Sequence, residues 1–213
     1  MPPHFEYSDL GSIVRVTSYR EGAMKTVTIA HTRTVPTKQG DVLLIGKEVP
    51  FEDRKDITDT LKRAKDLGMV TVAEHMFVAK AGGIGEKVFE QNAEYFDAIE
   101  LNGQARRKDN EKACKYAIQI GKPIIASSDS HTPHDVGRCS TSYDHGHFIC
   151  YSSDEDFFNK LNAAIKHDKP EFTLRETPLP RVVSWVGILL YDVFVRRKTG
   201  LLPPTETKGK FEI

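Results

Sequence analysis

Four apolar runs in this chain end in a residue able to hold a metal ion, and segments of helical period lie between several of them. Ile124-Ile125-Ala126 passes through Ser127 and Ser128 into Asp129-Ser130-His131. Successive side chains of an extended strand alternate between its faces, so Asp129 and His131 emerge on the same side. The other three runs are Val27-Thr28-Ile29-Ala30-His31, Val42-Leu43-Leu44-Ile45 leading to Gly46-Lys47-Glu48, and Val70-Thr71-Val72-Ala73 leading to Glu74-His75. A fifth run, Ala98-Ile99-Glu100-Leu101-Asn102, carries its carboxylate inside the strand pattern.

Helical period appears in Ile57, Leu61, Ala64 and Leu67 before Gly68, and again in Ala113, Ala117 and Ile120 before Gly121. Repeated strand-helix-strand order predicts a parallel sheet or barrel. In such folds the reactive groups gather at the carboxyl ends of the strands. His, Asp and Glu side chains converging there suit a divalent cation such as zinc, manganese or iron.

With 39% hydrophobic and 28% charged residues, 213 residues can bury one good core, so one principal domain is expected. A formal charge of +0 argues against attraction of the whole surface to nucleic acid or anionic membrane, and any polyanion must be recognised locally. Cys114, Cys139 and Cys150 are odd in number and lack CxxC spacing, which disfavours a disulfide framework and fits a reducing cytoplasm. The N-terminus shows no signal-peptide pattern. The longest apolar stretch, Val182 to Val195, is too short to span a bilayer and is expected to be a helix packed on the core, followed by a loosely ordered tail.

The order of these ligands resembles the PHP family, named for polymerase and histidinol phosphatase, over roughly residues 4 to 150. Ser128-Asp129-Ser130-His131 followed by Asp135-Val136-Gly137-Arg138 is similar to the family's last motif, in which Asp and His are both ligands. Gly46-Lys47-Glu48-Val49 resembles the motif whose Glu bridges metals, and His75 resembles the mid-chain His. His31 falls where the family reads Thr-Asp-His, here Ile29-Ala30-His31. His4-Phe5-Glu6-Tyr7-Ser8-Asp9 matches the second half of the opening His-x-His motif, with Pro2 in place of the first His; residues 51 to 60 also lack a His that members often carry.

The resemblance implies a distorted seven-stranded β/α barrel over residues 1–175, with residues 176–213 as a C-terminal helix and tail. It also implies phosphoester hydrolysis on one to three divalent ions held by His4, Asp9, His31, Glu48, His75, Asp129 and His131. Because Pro2 has no nitrogen donor, a reduced site of one or two ions is expected. Within that reading Glu48 is the bridging carboxylate. His134 is placed to protonate a leaving oxygen or else to be a surface turn residue. Arg138 and Arg106, the latter at the head of the run Arg106-Arg107-Lys108, are candidates for substrate phosphate. Asp144-His145-Gly146-His147 reads as a turn before a strand at Phe148 to Tyr151. Three functions stand open: a phosphoesterase for a small phosphorylated metabolite or nucleotide, a non-catalytic binding or structural module, and a nuclease-like phosphodiesterase on single-stranded nucleic acid, which only residues 106–108 favour. Oligomeric state is not encoded in any of these motifs.

Overall fold

The computed structural model describes residues 4–20, 23–143 and 151–175. The expected helix at 182–195, the tail, and the segment from Asp144 to Cys150 lie outside the described residues.

The first three strands, β1 (His4–Asp9), β2 (Ile13–Arg20) and β3 (Ala23–Ala30), form an antiparallel meander in the order β1-β2-β3. The β1–β2 turn is closed by Gly11, whose φ of 90° only glycine adopts cheaply and whose N–H is accepted by Asp9 Oδ1 at 2.9 Å. A second sheet takes β4 (Thr32–Pro36), β5 (Asp41–Ile45), β6 (Val70–Ala73), β7 (Ala98–Asn102) and β8 (Ile124–Ser127) in that order. Its pairs β4–β5 and β5–β6 are antiparallel, while β6–β7 and β7–β8 are parallel. A third sheet pairs β9 (Cys139–Ser142) with β10 (Glu171–Leu174). Thr141 Oγ1 docks it on β8 through Ala126 N and O.

Four helices cover the five-stranded sheet: α1 (Ile57–Asp66), α2 (Gly85–Gln91), α3 (Arg107–Ile120) and α4 (Asp154–His167). One core lies between the sheet and α1–α3, with Leu61, Ala64, Phe89, Ala113 and Ala117 packed on Leu44, Ile99 and Leu101. The opposite face sets Val70, Val72, Ala98 and Ile125 against Ile165 of α4. The first turn of α4 presents Phe157 and Phe158 to Ile13 of the first sheet. Asp56 caps α1 by accepting from Thr58 N, and Ser153 caps α4 by accepting from Asp156 N, each supplying the acceptor that a helix start lacks.

The expected seven-stranded barrel is overturned: among the described residues there are sheets of three, five and two strands, and no ring of strands closes. The physical cause is the connections. Short links from β1 to β2 and from β4 to β5 permit only antiparallel return, and closure requires every strand to pair on both sides. The strand-helix-strand alternation yields parallel pairing for β6, β7 and β8 alone.

Candidate functional site

Alternation along the buried strands builds the site. Val70 and Val72 on β6, and Ala98 on β7, point to the α4 side. Two residues further on, the same row becomes Glu74 on one strand and Glu100, then Asn102, on the other. Asp41 sits beside them because β5 is antiparallel to β6, with Val42 opposite Ala73. Asp129 follows the end of β8. The carboxyl end of the parallel strands therefore carries Glu74, Glu100 and Asp129, with Asp41 beside them from the neighbouring antiparallel strand.

Glu100, 1% exposed, is fully engaged. Its Oε2 accepts from His75 N at 2.8 Å and from Asn102 Nδ2 at 3.0 Å, and its Oε1 accepts from Ser127 Oγ. Asn102 Nδ2 also reaches Asp129 Oδ2 at 3.1 Å, so one amide links two of the carboxylates. Glu74, 6% exposed, is different: Oε1 accepts from Thr34 Oγ1 at 3.1 Å, but Oε2 is buried and unpartnered, as is Nδ1 of the adjacent His75. An unsatisfied buried carboxylate oxygen costs free energy that a proton or a cation would recover.

Burial, and then the charge of Glu100, push the Glu74 carboxyl up to about 8; Asp129 and Asp41 add to the rise and the Thr34 hydrogen bond opposes it. Burial also raises the Asp41 carboxyl, with His75 opposing. His75 and Asp129 hold positive φ, 30° and 46°, a backbone region uncommon for non-glycine residues, though Asp and His enter it more readily than most. The 75–85 loop is clamped on Asp41: Asp41 N donates to Gly82 O at 2.7 Å, and a Cβ at Gly82 would lie 2.2 Å from Asp41 Oδ2.

The residues named from sequence are distributed over three places. His75, Asp129 and His131 are at this end; His131 Nδ1 lies 2.9 Å from the Asp129 carbonyl oxygen and 3.8 Å from its Oδ1. Exposed His134 and half-buried Arg138 lie on the turn between β8 and β9. Arg106, exposed, starts α3 and pairs with Asp109 at 3.0 Å. His31 and Glu48 are at the opposite end of the sheet, since His31 precedes β4 and Glu48 follows β5; they line a shallow pocket with Arg33, Val49 and Pro50. His4 opens β1 opposite Tyr19, and exposed Asp9 closes it opposite Val14, both on the first sheet.

Glu74 and Glu100 lie at the end of and within the apolar runs, outside the ligand set that the family resemblance implies. A charged residue continuing a row that is otherwise buried on both faces is the signal that marks them.

The donor types suit a divalent cation: the carboxylates of Glu74, Glu100, Asp129 and Asp41, the His75 imidazole acting on Asp41, an orphaned oxygen on Glu74 and an orphaned nitrogen on His75. As the side chains stand, no group of three or more His, Cys, Asp or Glu residues among those described gathers closely enough to enclose an ion. Glu74 and His75 are thus the residues that would complete such a site, and Asp129 the one that would join them.

Comparison with known proteins agrees with this architecture in part. A family model described as PHP-associated matches residues 107–164, which run from α3 through β8 and β9 into α4 and include Asp129 and His131. That match supports a relation to the PHP family. The crystal structure of PsfC from Pseudomonas syringae PB-5123 is similar in fold, with a TM-score of 0.57 and 16% identity over 83% of this chain and 69% of that chain. No curated protein matches the sequence. No helix among the described residues is long and apolar enough to cross a membrane.

Proposed function

We propose that the chain is a PHP-related, metal-dependent hydrolase of phosphoesters whose centre is the carboxyl end of β6, β7 and β8. The observation that carries this reading is the buried, unpartnered Oε2 of Glu74 among Glu100, Asp129 and Asp41. Glu74, Asp129 and His75 would hold a divalent ion of the manganese, zinc or iron type. Such an ion supplies Lewis acidity toward a phosphoryl oxygen and toward water.

The remaining work belongs to the chain's own groups. Glu100, saturated by Ser127, Asn102 and the His75 N–H, fixes the backbone from which His75 projects. Asn102 holds Asp129 in place through the same amide. His131, when it donates Nδ1–H to the Asp129 carbonyl, keeps Nε2 as the basic nitrogen, the tautomer required to take up a proton at the rim. Arg138, on the turn after β8, stands for phosphate recognition.

A second reading, a module that binds without hydrolysis, is favoured by one observation: Glu48 and His31 lie at the opposite end of the sheet from His75 and Asp129, which leaves fewer donors than a multi-metal site needs.

Metal analysis after dialysis, paired with a manganese-supplemented screen of phosphomonoesters and phosphodiesters, separates the two. Under the first reading the parent retains metal and turns over a phosphoester. Glu74→Gln and Asp129→Asn then lower turnover by at least about a hundredfold, as expected when transition-state charge stabilisation is lost. Metal retention without turnover selects the second reading, and absence of both refutes the centre.

A further inference from the structure

A separate cavity of about 560 Å³ opens on the far side of Asn102. One wall is a single stripe of α3, Arg107, Asn110, Glu111 and Cys114, spaced so that they share a helix face. The other is Leu101 and Gly103 at the end of β7, with Cys139 and Leu174 from the two-stranded sheet.

Its polar wall is rigid. Asn110 Oδ1 accepts from Asn102 N at 2.9 Å, its Nδ2 donates to Asn102 O at 2.9 Å, and Asn102 Oδ1 accepts from Gln104 N and Ala105 N. Asn102 and Asn110 are thereby occupied in holding shape and offer little to a guest. The interior that remains is two leucines and two thiols, which suits an apolar, planar body. Position 103 admits no side chain, since a Cβ there would lie 2.8 Å from Ser128 O and 3.0 Å from Cys139 Sγ, so Gly103 lets this wall pack closely on Ser128 and Cys139.

The rim carries Arg107, an exposed cation. Arg107 Nε pairs with Glu111 Oε1 at 2.8 Å, but the side chains are 81% and 52% exposed, and an ion pair that wet is worth little. Its guanidinium is therefore cheap to transfer from a carboxylate to a phosphate, which it can grip with two N–H groups. Asn102, which lines this space, also donates through Nδ2 to Asp129 Oδ2 at 3.1 Å.

Resting on the hydrolase reading above, we infer that this cavity receives the organic part of the phosphoester, an apolar ring system of about nucleobase size, with Arg107 taking the phosphate at the rim. Its volume falls within the range of about 300–1,000 Å³ of small-molecule sites. Neither Arg107 nor Cys114 belongs to the metal-holding group, so the two assignments can fail separately.

The test uses the full chain and phenylphosphonate, a ring joined to a non-hydrolysable phosphoryl group, with inorganic phosphate as the comparison. Cys114 is half-buried on the cavity wall, so its alkylation by iodoacetamide, followed by peptide mapping, reports occupancy. Saturating phenylphosphonate is expected to slow alkylation of Cys114 by about tenfold by blocking access to the thiolate, and inorganic phosphate to leave it unchanged. Cys114→Phe, which fills the space, and Arg107→Glu, on the exposed rim, should each weaken phenylphosphonate binding by about tenfold or more. Val27→Thr, on the exposed face of the first sheet, should not. Circular dichroism checks that each variant is folded, and Arg107→Glu serves alone if Cys114→Phe is not.

Equal protection by inorganic phosphate, no protection at all, or binding that survives both substitutions overturns the inference. Protection without turnover of any phosphoester leaves the cavity standing and removes the hydrolase reading. Turnover that depends on Glu74 with parental KM in Cys114→Phe does the reverse.

Discussion

The two ends of the five-stranded sheet handle buried charge in opposite ways. At the amino end of the parallel strands Asp97, 4% exposed, is met by Lys65 Nζ at 2.5 Å and Lys166 Nζ at 3.5 Å, and it accepts from Thr71 N and Oγ1. Lys122 stands close by and donates to the carbonyls of Ala93 and Phe96, both at 2.9 Å. Lys65 and Lys166 are in the last turns of α1 and α4, and Lys122 follows the C-cap of α3, so the three ammonium groups also meet three negative helix ends. Three ammonium groups there answer one carboxylate, with backbone carbonyls taking up Lys122, so each of these four groups has a partner. At the carboxyl end, Glu74, Glu100, Asp129 and Asp41 gather, and among the described residues no lysine or arginine hydrogen-bonds or ion-pairs with them. The first arrangement is how a fold stabilises itself; the second leaves a demand that a ligand can meet.

The largest effect expected from breaking this contrast is at the amino end. Asp97→Ala leaves ammonium groups and the Thr71 amide without their acceptor. A fully buried pair typically costs about 3–5 kcal/mol to break. With Lys65 and Lys166 29% and 46% exposed and able to turn to water, the loss is expected at the lower end, about 3 kcal/mol. Urea unfolding should show it. A loss below about 1 kcal/mol would mean that Asp97 acts like an exposed ion pair, and the contrast would fall.

At the other end the sign reverses. The folded-state value of Glu74, about 8, is above its ordinary value of 4.5, so the native state binds the proton more tightly than the unfolded chain. That stability is complete below pH 4.5 and is lost as pH rises through about 8. With divalent ions chelated, the parent should weaken over that window by on the order of 2–3 kcal/mol, and Glu74→Gln, which needs no proton, should remove most of the slope. A pH profile of unfolding that is identical in the two proteins would break the assignment of Glu74 as the uncompensated carboxylate.

Adding manganese at pH 8 sharpens the same comparison. An ion that binds only the folded state stabilises in proportion to the logarithm of its concentration, about 2.7 kcal/mol at a hundredfold excess over Kd. The melting temperature of the parent should rise, that of Glu74→Gln or Asp129→Asn should rise much less, and Asp97→Asn should respond like the parent. A rise of equal size in all four would place the ion elsewhere.

What the sequence disclosed follows the same division. The buried runs at 42–45, 70–73, 98–102 and 124–127 are strands as read, and the periods closed by Gly68 and Gly121 are α1 and α3. Each of those signals is local: a side chain's face or a cap. Strand direction is not local. The segment from β5 through α1 to β6 has the strand-helix-strand pattern of a parallel unit, yet β5 and β6 are antiparallel, because β5 has already turned back from β4. One reversal moves everything after β5 to the other end, which carries Glu48 away from His75 and Asp129. The opening strands show the same limit: only the pairing of residues 4–9, 13–20 and 23–30 reveals a meander distinct from the larger sheet.

That reversal yields the smallest effect and the sharpest discrimination. Glu48 resembles a bridging carboxylate by motif, but it is exposed, its backbone N–H donates to Ser12 Oγ at 3.3 Å, and its pocket neighbours are His31, Arg33, Val49 and Pro50. None of the carboxylates that press on Glu74 is nearby, so replacing its charge changes little that Glu74 or Asp129 experiences. Glu48→Gln should therefore keep metal content at the parental level and stability within about 0.5 kcal/mol, the range of ordinary surface substitutions, under the conditions in which Glu74→Gln loses the ion. Metal analysis of the two variants side by side decides it. If Glu48→Gln empties the site and Glu74→Gln does not, the ion sits in the pocket of His31 and Glu48, and the carboxyl end of the parallel strands is not the metal centre.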